Sequence, residues 1–168
     1  VTTFSALIGL TIFKLYIPKE MTLEILFKYL HFICIFAIVS AIVGQHLLLK
    51  PQLTRAEIKR LATLDAVYGV AVILLLAAGF SLWFWVGKPA EFYSKNWIFH
   101  LKIGLFVIVG LLSIYPTVFF NKQKKGPESD LVDIPPSIKY MIRLELLLLF
   151  IMPLTASLMA KGIGYFGE

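Results

Sequence analysis

The sequence predicts an all-α integral membrane protein, a bundle of four transmembrane helices. Three observations predict it. Hydrophobic residues make up 59% of the 168 residues and charged ones only 15%, against roughly half and about a quarter in soluble domains. Mean hydropathy is +0.84. The apolar residues are gathered into four long runs, each near the ~20 residues needed to cross a bilayer.

The first run is Tyr29 to Leu49, YLHFICIFAIVSAIVGQHLLL, with no Lys, Arg, Asp or Glu. It predicts a helix near 25–49. The connection KPQLT follows. Thr54 and Glu57 have the spacing of a capping box, so the second helix should begin at Thr54. Its first turns, RAEIKR, are too charged for hydrocarbon, which leaves a span near 62–87. GKPAEFYSKN, residues 87–96, reads as a short polar loop. The third run, near 99–121, carries Lys102 at its entrance. NKQKKGPESDLVDIPPS, residues 121–137, has charges, a glycine and three prolines, and reads as a loop. Leu146 to Ala160 is too short to span alone. The fourth helix should therefore reach back to about Lys139, covering 139–161 and carrying Arg143 and Glu145 into the membrane. Pro116 and Pro153 should kink the third and fourth helices.

Residues 1–20 form an apolar start that is too short to span and lacks a basic leader. Met21 opens MTLEILFKYLH and reads as a natural start. Residues 1–20 are then an upstream extension, the competing reading being a short interfacial helix. Residues 21–168 form a single membrane domain.

Lys and Arg set the expected orientation. One side holds Lys50, Arg55, Lys59, Arg60, Lys122, Lys124, Lys125, Lys139 and Arg143. The other holds Lys28, Lys88, Lys95, Lys102 and Lys161. The first side is expected to be cytoplasmic, with both termini periplasmic in a bacterial inner membrane. Tyr29, Trp83, Trp85, Trp97 and Tyr165 would form the outer aromatic belt. The net charge of +6 suits anionic lipid. No basic stripe is interleaved with exposed aromatics, so nucleic acid is not an expected partner. Cys34 is the single cysteine, which excludes an intramolecular disulfide.

Two constellations can carry chemistry. His31 and His100 lie near the outer ends of the first and third helices, at similar depth. Level histidines on two helices of a bundle have the geometry that holds haem b through both axial positions. Lys102 could then meet a propionate. The plainer reading makes both imidazoles interfacial and lets Lys102 snorkel. No metal site beyond haem iron is expected. The second constellation is on the inner side: His46 with Gln45, Asp65, Tyr68, Arg143 and Glu145. Charges at that depth should face the bundle and pair, Asp65 or Glu145 with Arg143 or His46. The structural reading is polar glue between helices. The functional one is a proton path or a small cation site. The sequence contains no glycine-rich phosphate loop, CxxC pair, HExxH or GxSxG, and no catalytic residue is assigned.

These stretches carry a resemblance. LHFICIFAIVSAIVGQHLLLKPQLTRAEIKRLATLDAVYG, FHLKIGLFVIVGLLSIYPT and RLELLLLFIMPLTASLMAKG resemble the bacterial predicted membrane proteins called domain of unknown function family 2214. The resemblance covers nearly everything from Met21 onward. It implies a small multi-helix membrane protein and no assigned activity. The helix openings LH and WIFHLK are more loosely similar to HemJ-type protoporphyrinogen oxidases and CopD-like membrane domains, which adds weight to haem at His31 and His100. The expected function is a haem b redox protein exchanging electrons with a quinone or a membrane redox partner. The alternatives are a small transporter or proton-coupled protein using the inner polar cluster, and an accessory subunit of a membrane complex. Substrate and oligomeric state stay open.

Overall fold

A computed structural model describes residues 19–167. The expectations for the segment before Lys19 lie outside the described residues. The elements in order are α1 (Lys19–Leu48), β1 (Gln52–Thr54), α2 (Arg55–Ser81) continued by a π-helical turn (Leu82–Val86), α3 (Ala90–Ser94), α4 (Trp97–Gln123), β2 (Leu131–Asp133) and α5 (Pro136–Ala160). Four helical stretches are long and apolar enough to cross a membrane: Met21–Leu48, Arg55–Val86, Trp97–Gln123 and Pro136–Ala160.

Local chemistry sets the helix starts. Thr54 and Glu57 make the expected capping box. Thr54 Oγ1 accepts from the Glu57 amide at 3.2 Å, and Glu57 Oε2 accepts from the Thr54 amide at 2.9 Å. Asn96 caps α4, its Oδ1 accepting from the Ile98 and Phe99 amides. The same side chain donates through Nδ2 to the Ile163 carbonyl at 3.1 Å, which ties the start of α4 to the segment beyond α5. Pro136 opens α5, where a missing N–H costs nothing.

Both regions read as loops contain structure. Gln52, Leu53 and Thr54 pair antiparallel with Asp133, Val132 and Leu131, closing one end of the bundle, the strand end. Residues 87–96 contain the short helix α3. They lie at the opposite, aromatic end, where Trp83 stacks on Phe84 with centroids 4.5 Å apart and meets Phe99 edge-on at 4.7 Å. Tyr29, Trp85, Trp97 and Tyr165 are exposed there.

At the strand end Arg55 joins the first turn of α2 to the last turn of α4. Its Nε donates to Asp130 Oδ2 at 3.2 Å, and its Nη1 donates to the Gln123 carbonyl at 2.7 Å and to the Lys125 carbonyl. Gly126 sits against this guanidinium with φ +119°, and a Cβ there would stand 2.9 Å from Arg55 Nε. Nearby, Lys59 pairs with Glu128 at 2.6 Å, and its hydrogen bond holds the Glu128 carboxyl below the usual glutamate range.

The closest pairs are α1 with α2 and α4 with α5; α1 also meets α5, and α2 meets α4. In this ring α1 and α4 stand across from each other. Ile38, Ile42, Ile58, Leu61, Phe120, Ile138 and Ile142 fill the centre, while Phe36, Ile73, Leu111 and Phe150 point outward. Helices apolar on all sides suit a lipid surround. Lipid tails solvate such surfaces as well as protein does, so close packing and interhelical hydrogen bonds hold the helices together instead. Pro116 and Pro153 lie inside α4 and α5. Near the first, Ser113 Oγ donates to the Gly110 carbonyl at 2.8 Å.

Candidate functional site

Four helices contribute polar side chains to one buried cluster near the strand end. Asp65, from α2, is 6% exposed and Gln45, from α1, is 1% exposed. Asp65 Oδ1 accepts from Thr117 Oγ1 of α4 at 2.9 Å and more loosely from Gln45 Nε2 at 3.4 Å. Oδ2 receives no hydrogen bond from the described residues. Tyr68, one turn along α2, is buried near Ser113, and Glu145 of α5 lies within charge-interaction range of both Tyr68 and Asp65. Glu145 is 1% exposed, and its Oε1 has no hydrogen-bond partner among the described residues.

Helical spacing explains the gathering. Asp65 and Tyr68 are three apart, and Ser113, Thr117 and Asn121 recur every four residues, so each set occupies one helix face. Gly69 and Gly110 line the seam between α2 and α4, and a Cβ at either would meet nothing within 4 Å. There lies a groove of about 500 Å³ lined by Asp65, Tyr68, Ser113, Thr117, Asn121 and Lys124 among apolar neighbours. Lys124 lies just past α4, its Nζ donating to Asn121 Oδ1 at 2.6 Å.

The expected ion pairs are not made. Arg143 is exposed, and among the described residues no Lys, Arg or His forms a salt bridge with Asp65 or Glu145. The reason is angular: Arg143 and Glu145 are two residues apart, about 200° around α5. One therefore faces the bundle and the other faces out. His46 is half-buried, and its Nδ1 has no hydrogen-bond partner among the described residues. What the cluster presents is two buried carboxyls with hydroxyl and amide neighbours and no salt-bridged cation.

The outer histidines have different surroundings. His31 is half-buried on α1 against Gly79 of α2, whose Cβ would lie 3.5 Å from the ring, and its Nδ1 has no hydrogen-bond partner among the described residues. Lys102 is half-buried and within charge-interaction range of that imidazole. His100 is exposed, its Nε2 at 2.8 Å from the Ser94 carbonyl. His100 and Lys102 are also two residues apart, so the lysine turns toward His31 while the histidine turns away. Neither imidazole lines the α2–α4 groove. Among the described residues no group of three His, Cys, Asp or Glu could hold a metal ion.

Ser113 and Thr117 belong to the cluster although neither carries a charge that would single it out. Their signal was the four-residue recurrence of polar side chains within an apolar helix. No curated protein and no solved structure matches the chain. A family model described as predicted membrane protein, DUF2214, matches residues 23–164. A match over that length of a four-span helical chain places this protein in the DUF2214 family of predicted membrane proteins.

Proposed function

We propose that this protein is a small proton-coupled transporter whose working groups are the carboxyls of Asp65 and Glu145. The observation that carries the reading is that both are buried in an apolar bundle, within charge-interaction range of each other, with no ion pair among the described residues. An ionised group inside a membrane is costly and pairs with a partner when it serves only structure. A carboxyl there without such a partner must bind a proton or another cation, and a group that can exchange one for the other couples their movements. Asp65 lines a groove reaching toward Asn121 and Lys124 near the strand end, so protons have a polar approach from that side. The excess of Lys and Arg at this end supports a cytoplasmic strand end and a bacterial inner membrane.

The test is purified protein in vesicles carrying an internal pH dye, with a proton gradient imposed. The wild type should dissipate the gradient faster than empty vesicles, and Asp65→Asn and Glu145→Gln should each remove most of the difference. Equal rates for the wild type and both correctly inserted variants would remove the reading.

The haem b reading needs two imidazole nitrogens directed at one iron. His31, with its unpartnered Nδ1, lends it some support. His100, exposed and engaged with the Ser94 carbonyl, lends it less. The electron partners expected with it, a quinone or a membrane redox protein, rest on the same pair.

A further inference from the structure

We infer that the α2–α4 groove binds a lipophilic organic monocation, its charge lying against Asp65, in exchange for a proton. This rests on the proton-coupled reading and names the substrate class of the same site.

Four observations lead there. The groove holds about 500 Å³, within the roughly 300–1,000 Å³ typical of small-molecule sites. Its walls are largely apolar, with Val72, Ile114 and Val118 flanking the acid. Cβ atoms built on Gly69 or Gly110 meet nothing within 4 Å, so a bulky apolar body has room on both walls. Asp65 Oδ1 is taken by Thr117 and Gln45, which leaves Oδ2 to receive a ligand.

Charge decides the sign of the ligand. The titratable groups around Asp65 are Tyr68 on its own helix, Glu145 from α5 and Lys124 beyond α4. Gln45 and Thr117 complete the surroundings and do not titrate. Lys124 sits at the groove's strand-end side and is held by Asn121. Two carboxyls against one lysine leave a place for one more positive charge. A bare metal ion fits poorly. Hard cations such as Ca²⁺ take 6–8 oxygen ligands, and the groove's lining is largely apolar. An organic cation needs only one carboxylate and an apolar surround. The exchange balances: a protonated carboxyl releases H⁺ to water as the cation takes the carboxylate, and no covalent bond to carbon changes.

The probe is tetraphenylphosphonium, with neutral triphenylphosphine oxide as control, binding to the full chain in detergent by equilibrium dialysis. The wild type should bind the cation at least tenfold more tightly than the neutral control. Binding should weaken as pH falls and release up to one proton per cation in weakly buffered solution. Asp65→Asn should lose it. Gly110→Leu, which fills the groove without touching the carboxyl, should lose it as well. Equal binding of the neutral probe, retention in both variants, or binding without proton release would overturn the inference. Asp65-dependent proton exchange in a protein that binds no tetraphenylphosphonium would overturn it and leave the proton-coupled reading standing. Loss of both signals in the wild type would remove both.

Discussion

Replacing Glu145 with Met should make the protein more stable and, on the proton-coupled reading, abolish proton transport. Neither Glu145 oxygen makes a hydrogen bond or an ion pair with the described residues, and Oε1 is fully enclosed. An unsatisfied polar group in such a place costs about 1–3 kcal/mol. Methionine has similar length, an unbranched stem and no strong polar atom, so it can fill the site with little rearrangement. Polar terms between membrane helices average about 0.6 kcal/mol in double-mutant cycles, which puts the expected gain near the lower end, about 1 kcal/mol. For a chain of this size that is a rise of about 2–4 °C in Tm. Glu145→Gln should gain less, because it keeps a buried amide. The assay is loss of helical circular dichroism on titration with sodium dodecyl sulfate in mixed micelles, beside a thermal scan. A fall of more than about 1 kcal/mol for the Met variant would show that the carboxyl makes a stabilising contact. It would then be structural glue, and the reasoning from an unpartnered carboxyl would fail.

Three further outcomes follow from the geometry. Gly126→Ala should cost about 1–3 kcal/mol from its φ alone, with more from the contact with Arg55; in an Arg55→Ala background the penalty should shrink toward the backbone part, and full additivity in the same unfolding assay would argue against that contact. Lys59→Ala should raise the Glu128 titration midpoint toward the ordinary glutamate value, read by carboxyl-carbon NMR, because the hydrogen bond that holds it down is gone; the small stabilisation from this exposed pair is present above the ordinary glutamate range and is lost as pH falls through the folded midpoint. A reduced-minus-oxidised visible spectrum of protein expressed with haem precursor should show no stoichiometric haem bands; sharp bands lost in both His31→Ala and His100→Ala would restore the haem reading over the one proposed here.

The four spans were legible because lipid demands long apolar runs whatever the details of packing. The capping box at Thr54 and Glu57 was legible for the same kind of reason: it is chemistry within four residues. Asp65 and Glu145 could be singled out because charge inside an apolar run stands out. Their partners could not be read from depth alone, since depth says nothing of rotation. Arg143 and Glu145 fail to share a face because two residues turn a helix by about 200°. The β1–β2 pairing was hidden in three-residue strands far apart in sequence, with no alternation long enough to register. Thr117, uncharged within an apolar run, gave no sign of a partner, yet its hydroxyl donates to Asp65.

The placement of the groove follows from how the helices are tied. Near the strand end, α1 and α2 are joined by the short segment around β1, and α4 and α5 by the segment around β2; the two strands then pair. Arg55 adds a direct tie from the start of α2 to the carbonyls at the end of α4. Along the membrane, however, α2 and α4 approach each other less closely than either approaches its own hairpin mate. A seam tied at its end and loose along its length is where helices can separate with little loss of packing, and Gly69 and Gly110 weaken contact there further. Asp65 lies on that seam with one oxygen fixed and one free. Glu145 lies behind it, 1% exposed, where a bound proton would be shielded from water. An open carboxyl backed by an enclosed one provides two sites of different access for the same proton. For a carrier, the loose α2–α4 seam is thus the part that must move, with the Arg55 tie holding the strand end together while it does.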